Sequence, residues 1–434
     1  MSVLRKAYHP SVHVPALDGL RGLAILLVLI EHCIRLQPTT TLEQLISRGA
    51  AVGWVGVDLF FGLSGFLITG ILLDAKGGER FFRHFYLRRL LRIFPLYYGC
   101  LVLLFLGLPL LGVLSPTETR NLLETQGWHW GYLSNVMIAR AGSWESIPLE
   151  TMHFWSLAVE EQFYLIWPLV VWLLPQRQLK AVCVGAIIGS LVIRLALREA
   201  GQPGLVMYVL TPTHLDPLAL GAWLAATARE PGGIDKFARW LRPVVLVSAA
   251  ALAAIMMTAG GRVVDALAMQ SVGYPLLAVV CVGLLAGALC QKMSLPLDAL
   301  WQTPALRFFG RYSYGIYVLH PLLLLLVIRG GFDVPYFAQL LGSQLAGQAV
   351  FAGTITAGSA GVALVSWHFW EQPFLRLKSY VPMLGPKPLL RSPDPLRAPA
   401  RVPQGTSLPM CPPHERGTLG RNVGAHPLEQ PARV

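Results

Sequence analysis

Charged residues are scarce in this sequence. Only 13% of its 434 residues are Asp, Glu, Lys or Arg, and 54% are hydrophobic, whereas a soluble globular protein carries about 25% charged residues. The mean hydropathy is +0.54. This composition excludes an ordinary soluble domain and predicts an all-α polytopic membrane protein.

Acidic residues are rarer than basic ones, and the net charge is +12. The basic residues lie in short loops between apolar segments and in the last part of the chain. Positive-inside topology explains this distribution. We therefore expect the lipid bilayer, and no nucleic acid, as a partner.

Cysteine patterns typical of disulfide-rich or metal-binding domains are absent. The six cysteines include no close pair and no CxxC motif, so neither a disulfide framework nor a metal site is predicted. No small-residue cleavage site follows the first apolar run, which we expect to be a span rather than a cleaved signal. No internal repeat is visible.

Hydropathy predicts about ten membrane spans. They cover residues 17–36, 53–74, 94–114, 154–174, 181–199, 205–228, 243–260, 272–290, 312–329 and 347–369. Pro212 and Pro217 interrupt the sixth span, which we expect to be a broken or re-entrant helix. Strongly basic connections alternate with weakly basic ones, which predicts that both termini are cytoplasmic. We expect the protein to lie in the inner (cytoplasmic) membrane.

The chain divides into two predicted parts. Residues 1–378 form the membrane domain. Twelve of the last 54 residues are proline, and such a segment cannot build a packed core. Residues 379–434 are therefore predicted to be a disordered cytoplasmic tail.

The first span is apolar in its middle and ionisable near both ends. Asp18 and Arg21 precede the apolar run, and Glu31 and His32 follow it. Arg21 and His32 are eleven residues apart, so both side chains leave the same helix face, roughly 16 Å apart along the axis. This alignment favours a functional role, whereas a signal-anchor flank and a solvated helix end are the simpler explanation.

Carboxylates and histidines recur at one depth in the outer half of the predicted bundle. Counting along each helix places His32, Asp58 and Glu160 within roughly 6–11 Å of the outer surface. The same region holds Glu161, Ser156, Tyr164, His214 and Asp216. A single carboxylate can be structural, but the convergence of several favours a functional site.

Three arginines open the third span. Arg88, Arg89 and Arg92 fall within five residues, and Tyr86 lies beside them. Guanidinium groups at a helix start bind phosphates well, whereas an ordinary topology signal needs fewer charges. Phosphate binding and topology both remain explanations of this cluster.

Two further spans contribute candidates. The second span is rich in small residues, among them Ser64 and Gly65, which favour either close helix packing or room for a ligand chain. The ninth span carries Tyr314 and His320. His320 is either a second functional histidine or a hydrogen-bonded residue of the core.

Five motifs, in this order, resemble those of the acyltransferase-3 family of integral membrane acyltransferases. They are Arg21 and His32 separated by ten residues, GVDLFFGLSGFLI at 56–68, RRLLRIFP at 88–95, SLAVEEQFYLIWP at 156–168, and SYGIYVLHP at 313–321. The resemblance covers residues 14 to about 378. Two departures are Gly62, where valine is more usual, and Pro321, which follows His320 more closely than in many relatives.

The resemblance implies transfer of an acyl group, commonly acetyl, from cytoplasmic acyl-CoA to a hydroxyl of a surface glycan or glycolipid. Acyl-CoA would be a substrate, with no permanently bound cofactor. Arg88, Arg89 and Arg92 would hold the CoA phosphates, and the pantetheine arm would pass Arg21. His32 would be the general base. No hydrolase-like domain follows the bundle, as it does in some relatives, so no second activity is expected.

Two aspects of this mechanism stay open. Glu31, Glu160 or Glu161 would orient His32, and a covalent acyl-histidine is the alternative to direct transfer. A lipophilic or small-molecule acceptor would suit the same residues.

A proton-coupled transporter is the alternative from a different functional class. It would also use buried carboxylates, histidines and a broken helix, although it has no need of the arginine cluster.

Overall fold

The structure is a computed structural model that describes residues 14–145, 147–259, 263–290 and 295–381. Within these ranges every regular element is helical and no β-strand occurs. The predicted all-α class is therefore confirmed. Apart from residues 379–381, the predicted cytoplasmic tail lies outside the described residues.

Ten main helices make up the described part of the chain. They are α1 (Pro15–Cys33), α2 (Val55–Ala75), α3 (Phe81–Val102), α4 (Phe154–Leu173), α5 (Gln176–Glu199), α6 (Asp216–Ala228), α7 (Ala238–Ala259), α8 (Tyr274–Cys290), α9 (Pro304–Arg329) and α10 (Gln344–Ser366). Further α-helices lie at Thr41–Ala50, Leu108–Leu110, Pro116–Trp130, Ser134–Ala141, Leu149–Met152, Gly204–Val209, Leu295–Leu300, Val334–Leu341 and Gln372–Arg376. Single 3₁₀ or π turns lie at Leu103–Gly107, Thr211–Thr213, Gly233–Phe237, Val263–Asp265, Met269–Gly273, Trp367–Glu371 and Leu377–Tyr380.

Seven of the described helical stretches are long and apolar enough to cross a membrane, by length and composition. The helices α1 and α4 are not among them, because α1 carries three charged residues, Asp18, Arg21 and Glu31, and because Glu160 and Glu161 lower the hydropathy of α4. The helix α6 has only 13 residues. The polytopic membrane class is thus confirmed, whereas the count of ten spans and the cytoplasmic termini stay predictions.

The predicted interruption of the sixth span is confirmed. A short helix, Gly204–Val209, is followed by the 3₁₀ turn Thr211–Thr213, and α6 begins only at Asp216. Pro212 and Pro217 lack a backbone N–H and restrict the residue before them. A continuous helix through this segment is therefore disfavoured.

Close helix contacts position the functional residues. The most extensive contacts join α1 to α9 and α2 to α6. A Cβ atom at Gly22 would collide with the carbonyl oxygen of Leu306, and one at Gly65 with that of Leu218. Glycine is required at both positions because the backbones approach this closely, so Gly65 serves helix packing rather than ligand space.

Candidate active site

A narrow cavity of about 110 Å³ lies between α1, α2, α3, α4 and α9. We call it the central cavity. Eight of the residues singled out in the sequence line it: Arg21, Ser64, Arg89, Arg92, Ser156, Glu160, Glu161 and Tyr314. Residues from five separate helices thus meet around one space. Counting along the sequence had placed these residues at two different depths.

Opposite charges face one another around the central cavity. Ser64 Oγ donates to Glu160 Oε1 at 2.5 Å, and Arg89 Nε lies 3.9 Å from Glu161 Oε1. The Arg89 guanidinium carbon also lies 3.5 Å from the centre of the Tyr164 ring. Each carboxylate therefore has a polar or cationic neighbour, as ionisable groups within a membrane bundle require.

The arginine cluster of α3 divides between two environments. Arg89 and Arg92 line the central cavity, whereas Arg88 donates to the backbone oxygens of Lys378 at 3.3 Å and Val381 at 2.7 Å. Arg88 thus lies apart from the other two arginines, and the phosphate contacts expected of all three stay a prediction. Arg88 is one turn nearer the start of α3 than Arg92. At the position of Arg88, the C-terminal segment offers carbonyl oxygens that attract a cation.

Two predicted tyrosines link helices. Tyr86 donates from its hydroxyl to the backbone oxygen of Leu165 at 2.7 Å, joining α3 to α4. Tyr314 donates to the backbone oxygen of Ile93 at 2.7 Å, joining α9 to α3. Tyr314 also lines the central cavity, whereas Tyr86 does not. The expected place of Tyr86 beside bound phosphates stays a prediction.

The two predicted histidines contact each other. Nδ1 of His32 lies 3.0 Å from Nε2 of His320. Nδ1 of His320 lies 3.0 Å from the backbone oxygen of Ile316 and 2.9 Å from that of Tyr317. Carbonyl oxygens only accept hydrogen bonds, so His320 must carry its proton on Nδ1. With both rings neutral, its Nε2 then accepts from the Nδ1–H of His32.

This arrangement assigns the tautomer of His32. Its Nδ1 carries the proton and its Nε2 carries the free lone pair. His320 is fully buried, whereas His32 is half-buried. His32 therefore presents a basic nitrogen whose orientation is set by the hydrogen bond on the other side of the ring.

The hydrogen-bond partner of His32 is a histidine and not one of the carboxylates named in the sequence. None of the hydrogen bonds or ion pairs of the described residues joins a carboxylate to His32, and His320 takes that place. Glu31 instead lies against Gly53. Glu31 and His32 are neighbours in a helix, so their side chains point about 100° apart and do not face each other.

Tyr317 lies beside both the central cavity and the histidine pair, with its ring centroid 5.9 Å from that of His320. Its side chain lines the cavity, and its hydroxyl lies 2.5 Å from Ser156 Oγ and donates to the backbone oxygen of His153 at 3.2 Å. The backbone oxygen of the same tyrosine accepts from His320. His32 itself does not line the cavity, contrary to the expectation of one continuous site.

A third histidine was missed in the sequence. The ring of His153 lies 5.5 Å from that of His320 and 5.5 Å from that of Tyr317, measured between centroids. His153 is buried and directly precedes α4. Its position three residues before Ser156, on the same helix face, was the available signal.

Asp58 and Asp216 lie in a separate buried cluster. Asp58 Oδ1 is 2.8 Å from His214 Nε2, and Asp216 accepts two bonds from Arg194, at 2.5 and 3.2 Å. Neither aspartate lines the central cavity. Asp58 is six residues from Ser64 on α2, so the two side chains leave different sides of the helix. Asp58 and Asp216 thus make contacts that hold the broken sixth span against α2 and α5, and the functional roles expected of them stay predictions.

A second, wider hollow adjoins the central cavity. It has a volume of about 650 Å³ and shares Arg21 and Arg92 with the cavity. Asp18 lines it and lies 3.6 Å from Arg21. We call it the arginine cleft. Its size falls within the range of ligand sites, about 300–1,000 Å³.

Comparison with known proteins gives a family and several relatives. The acyltransferase-3 family model, described as "Acyltransferase domain", matches residues 14–370. The putative peptidoglycan O-acetyltransferase YrhL of Bacillus subtilis (strain 168) is 33% identical over 50% of this chain and 34% of its own length. The peptidoglycan O-acetyltransferase OatA of Listeria monocytogenes is 30% identical over 71% of this chain and 49% of its own length.

A further relative is the O-acetyltransferase OatA of Staphylococcus aureus, 31% identical over 51% of this chain and 36% of its own length. The chain thus spans about a third to a half of the length of these curated relatives. No solved structure matches it.

Proposed function

Because the chain belongs to the acyltransferase-3 family, we propose that it transfers an acetyl group from acyl-CoA to a hydroxyl of a cell-wall glycan. The Bacillus and Listeria relatives are named as peptidoglycan O-acetyltransferases, which supports both the acetyl group and the glycan acceptor. On the topology predicted from the loop charges, the donor comes from the cytoplasm and the acceptor from the outer side.

The arginines support a phosphorylated donor. Arg21 and Arg92 line both the arginine cleft and the central cavity, and Arg89 lines the cavity beside them. The cavity, at about 110 Å³, has room for the thioester end of acyl-CoA but not for its nucleotide. The larger part of the donor would therefore occupy the arginine cleft.

The histidine pair supports a general base. We assign that role to His32, because His320 leaves the Nε2 lone pair of His32 free to accept a proton. The acceptor hydroxyl oxygen bonds to the thioester carbonyl carbon while its proton passes to Nε2. The carbon–sulfur bond then breaks, and the imidazolium returns the proton to the departing thiolate. An acetyl ester and the free thiol of CoA result.

The mechanism requires a movement at Tyr317. Its ring lines the central cavity and lies 5.9 Å from the His320 ring between centroids, held by the hydroxyl contacts to Ser156 and to the His153 backbone. The thioester would reach His32 when this side chain turns away. An acyl-histidine intermediate, formed by attack of the same Nε2 on the thioester, requires the same movement.

One observation carries the proposal: the arginine cleft, the central cavity and the histidine pair follow one another along α9. Tyr312 lines the cleft, Tyr314 and Tyr317 line the cavity, and His320 contacts His32. A donor bound at the arginine end of this helix would thus extend toward the proposed base.

The experiment is acetyl transfer from labelled acetyl-CoA to glycan fragments by the detergent-purified protein, followed by mass spectrometry. His32→Ala should lower turnover by about 10²–10⁴-fold, the usual effect of losing a general base. His368→Ala is the matched control, since His368 is an exposed histidine outside the site. A His32 variant with wild-type turnover, or a wild-type protein that transfers nothing from acetyl-CoA, would contradict the proposal.

A further inference from the structure

Two arginines at the start of α9 have no role in the function proposed above. Arg307 and Arg311 line the arginine cleft, and both side chains are exposed. They are four residues apart, so they lie on one face of the helix, about 6 Å apart along its axis.

The charges of the arginine cleft are unbalanced. Arg21, Arg92, Arg307 and Arg311 line it together with a single carboxylate, Asp18. Asp18 lies next to Arg21, and none of the ion pairs of the described residues involves the other three arginines. Four guanidinium groups that converge around a single carboxylate leave an excess of positive charge, which favours binding of a polyanion.

Aromatic rings form the adjoining part of the cleft. The guanidinium carbon of Arg311 lies 5.6 Å from the centre of the Tyr312 ring and 5.9 Å from that of Trp367. Both rings line the cleft, with Phe308 beside Tyr312 at 5.1 Å between centroids. Flat rings beside cations suit a nucleotide, because a base stacks on the rings while the guanidinium groups bind phosphate.

The order along α9 indicates which end of a nucleotide lies where. Arg307, Arg311, Tyr314, Tyr317 and His320 follow one another along α9 at intervals of three or four residues, on a line that winds around the helix because a three-residue step falls short of a full turn. The thirteen residues from Arg307 to His320 span about 20 Å, comparable with the length of an extended CoA molecule. Arg307 lies farthest from the proposed base.

We propose that Arg307 and Arg311 bind the 3′-phosphoadenosine end of acyl-CoA, with Arg307 at the 3′-phosphate and Arg311 between the adenine and the pyrophosphate. Arg92 and Arg21 then lead the pantetheine arm into the central cavity. This inference rests on the proposed function, because it takes acyl-CoA as the donor. It makes the 3′-phosphate a specificity element of the site.

The test is equilibrium binding of CoA and of dephospho-CoA, which lacks the 3′-phosphate, to the detergent-purified full-length protein. The wild type should bind CoA more tightly by about 10-fold to 100-fold, the usual effect of a charge-assisted contact. Arg307→Ala should weaken CoA binding to the dephospho-CoA level and leave dephospho-CoA affinity unchanged, and Arg307→Lys should restore part of the difference. Arg83→Ala, at an exposed arginine outside the cleft, is the matched control.

The outcomes separate this inference from the proposed function. Equal affinities of the wild type for CoA and dephospho-CoA would overturn the inference and leave acyl-CoA as the donor. So would an Arg307→Ala variant that weakens both ligands equally. If the wild type binds neither ligand, the donor in the proposed function is wrong, and the inference fails with it.

Discussion

The contact between His32 and His320 predicts a specific pattern of variants. His320→Leu fills a similar volume but removes the nitrogen that accepts the Nδ1–H of His32. His320→Gln places an amide oxygen near the position of Nε2 and so keeps an acceptor. We expect the leucine variant to be slow and the glutamine variant to retain much of the activity, because His320 acts by positioning His32.

The magnitude follows from the hydrogen bond that is lost. An unpaired buried N–H costs about 1–3 kcal/mol. If the N–H is unpaired in the transition state, this cost lowers the rate roughly 5-fold to 150-fold. If His32 instead adopts the other tautomer, Nε2 is protonated and cannot act as a base, and such losses reach about 10⁴-fold in a serine protease triad. We therefore expect the turnover of His320→Leu to fall by about 10-fold to 100-fold or more, and that of His320→Gln to stay within about 10-fold of wild type.

Acetyl transfer and thermal unfolding in detergent should be measured on the same preparations. Matching melting temperatures would show that the core around His320 is intact in both variants. A stable His320→Leu variant with wild-type turnover would refute the positioning role. So would a His320→Gln variant as slow as His320→Leu, since an acceptor at this place would then make no difference.

Three further variants test the geometry. Arg92→Ala should lower acyl-CoA affinity by about 10-fold or more, whereas Arg88→Ala should leave affinity unchanged and lower the melting temperature; equal losses of affinity would contradict the division of the cluster. Arg194→Met leaves Asp216 buried without its partner and should cost about 3–5 kcal/mol of stability, so an unchanged melting temperature would show that the pair is not structural. Gly22→Val should cost about 1–3 kcal/mol through overpacking and reduce transfer by displacing α1 from α9, which wild-type melting and turnover would disprove.

The helical membrane class could be predicted because hydropathy is a local property of the chain. The broken sixth span was predictable for the same reason, since Pro212 and Pro217 act on their own backbone. The charged helices α1 and α4 were recognisable as candidate spans although their Glu and Arg residues lower the hydropathy. Such residues are expected where a bundle encloses a site.

The membership of the central cavity was predictable only in part. Glu160 and Arg21 could be named because ionisable residues in apolar segments are unusual, and Arg89 because three arginines fall within five residues. Their meeting in one space depends on how helices pack, and residue counting placed the glutamates and the arginines at different depths. The division between Arg88 and Arg89 likewise depends on a C-terminal segment nearly 300 residues away in sequence.

Other features left little trace in the sequence. His320 could be read as functional or as part of the core, and only its contact with His32 assigns it to the site. Arg307 and Arg311 resemble an ordinary basic flank, because nothing local distinguishes a cleft-lining arginine from a topology signal. In both cases the evidence for a role comes from tertiary structure: from the packing of α9 against α1 for His320, and from the neighbouring aromatic rings for the two arginines.

The central claim is that the donor binds at the arginine end of the bundle while the acceptor is acylated at the end that carries His32. Sealed right-side-out vesicles containing the protein test it most directly. Acetyl-CoA enclosed inside should acetylate a glycan supplied only outside, and acetyl-CoA supplied only outside should not, because so charged a molecule does not cross hydrocarbon unaided. Equal transfer from external acetyl-CoA in vesicles shown to be sealed would contradict the account, since both substrates would then reach the site from one face.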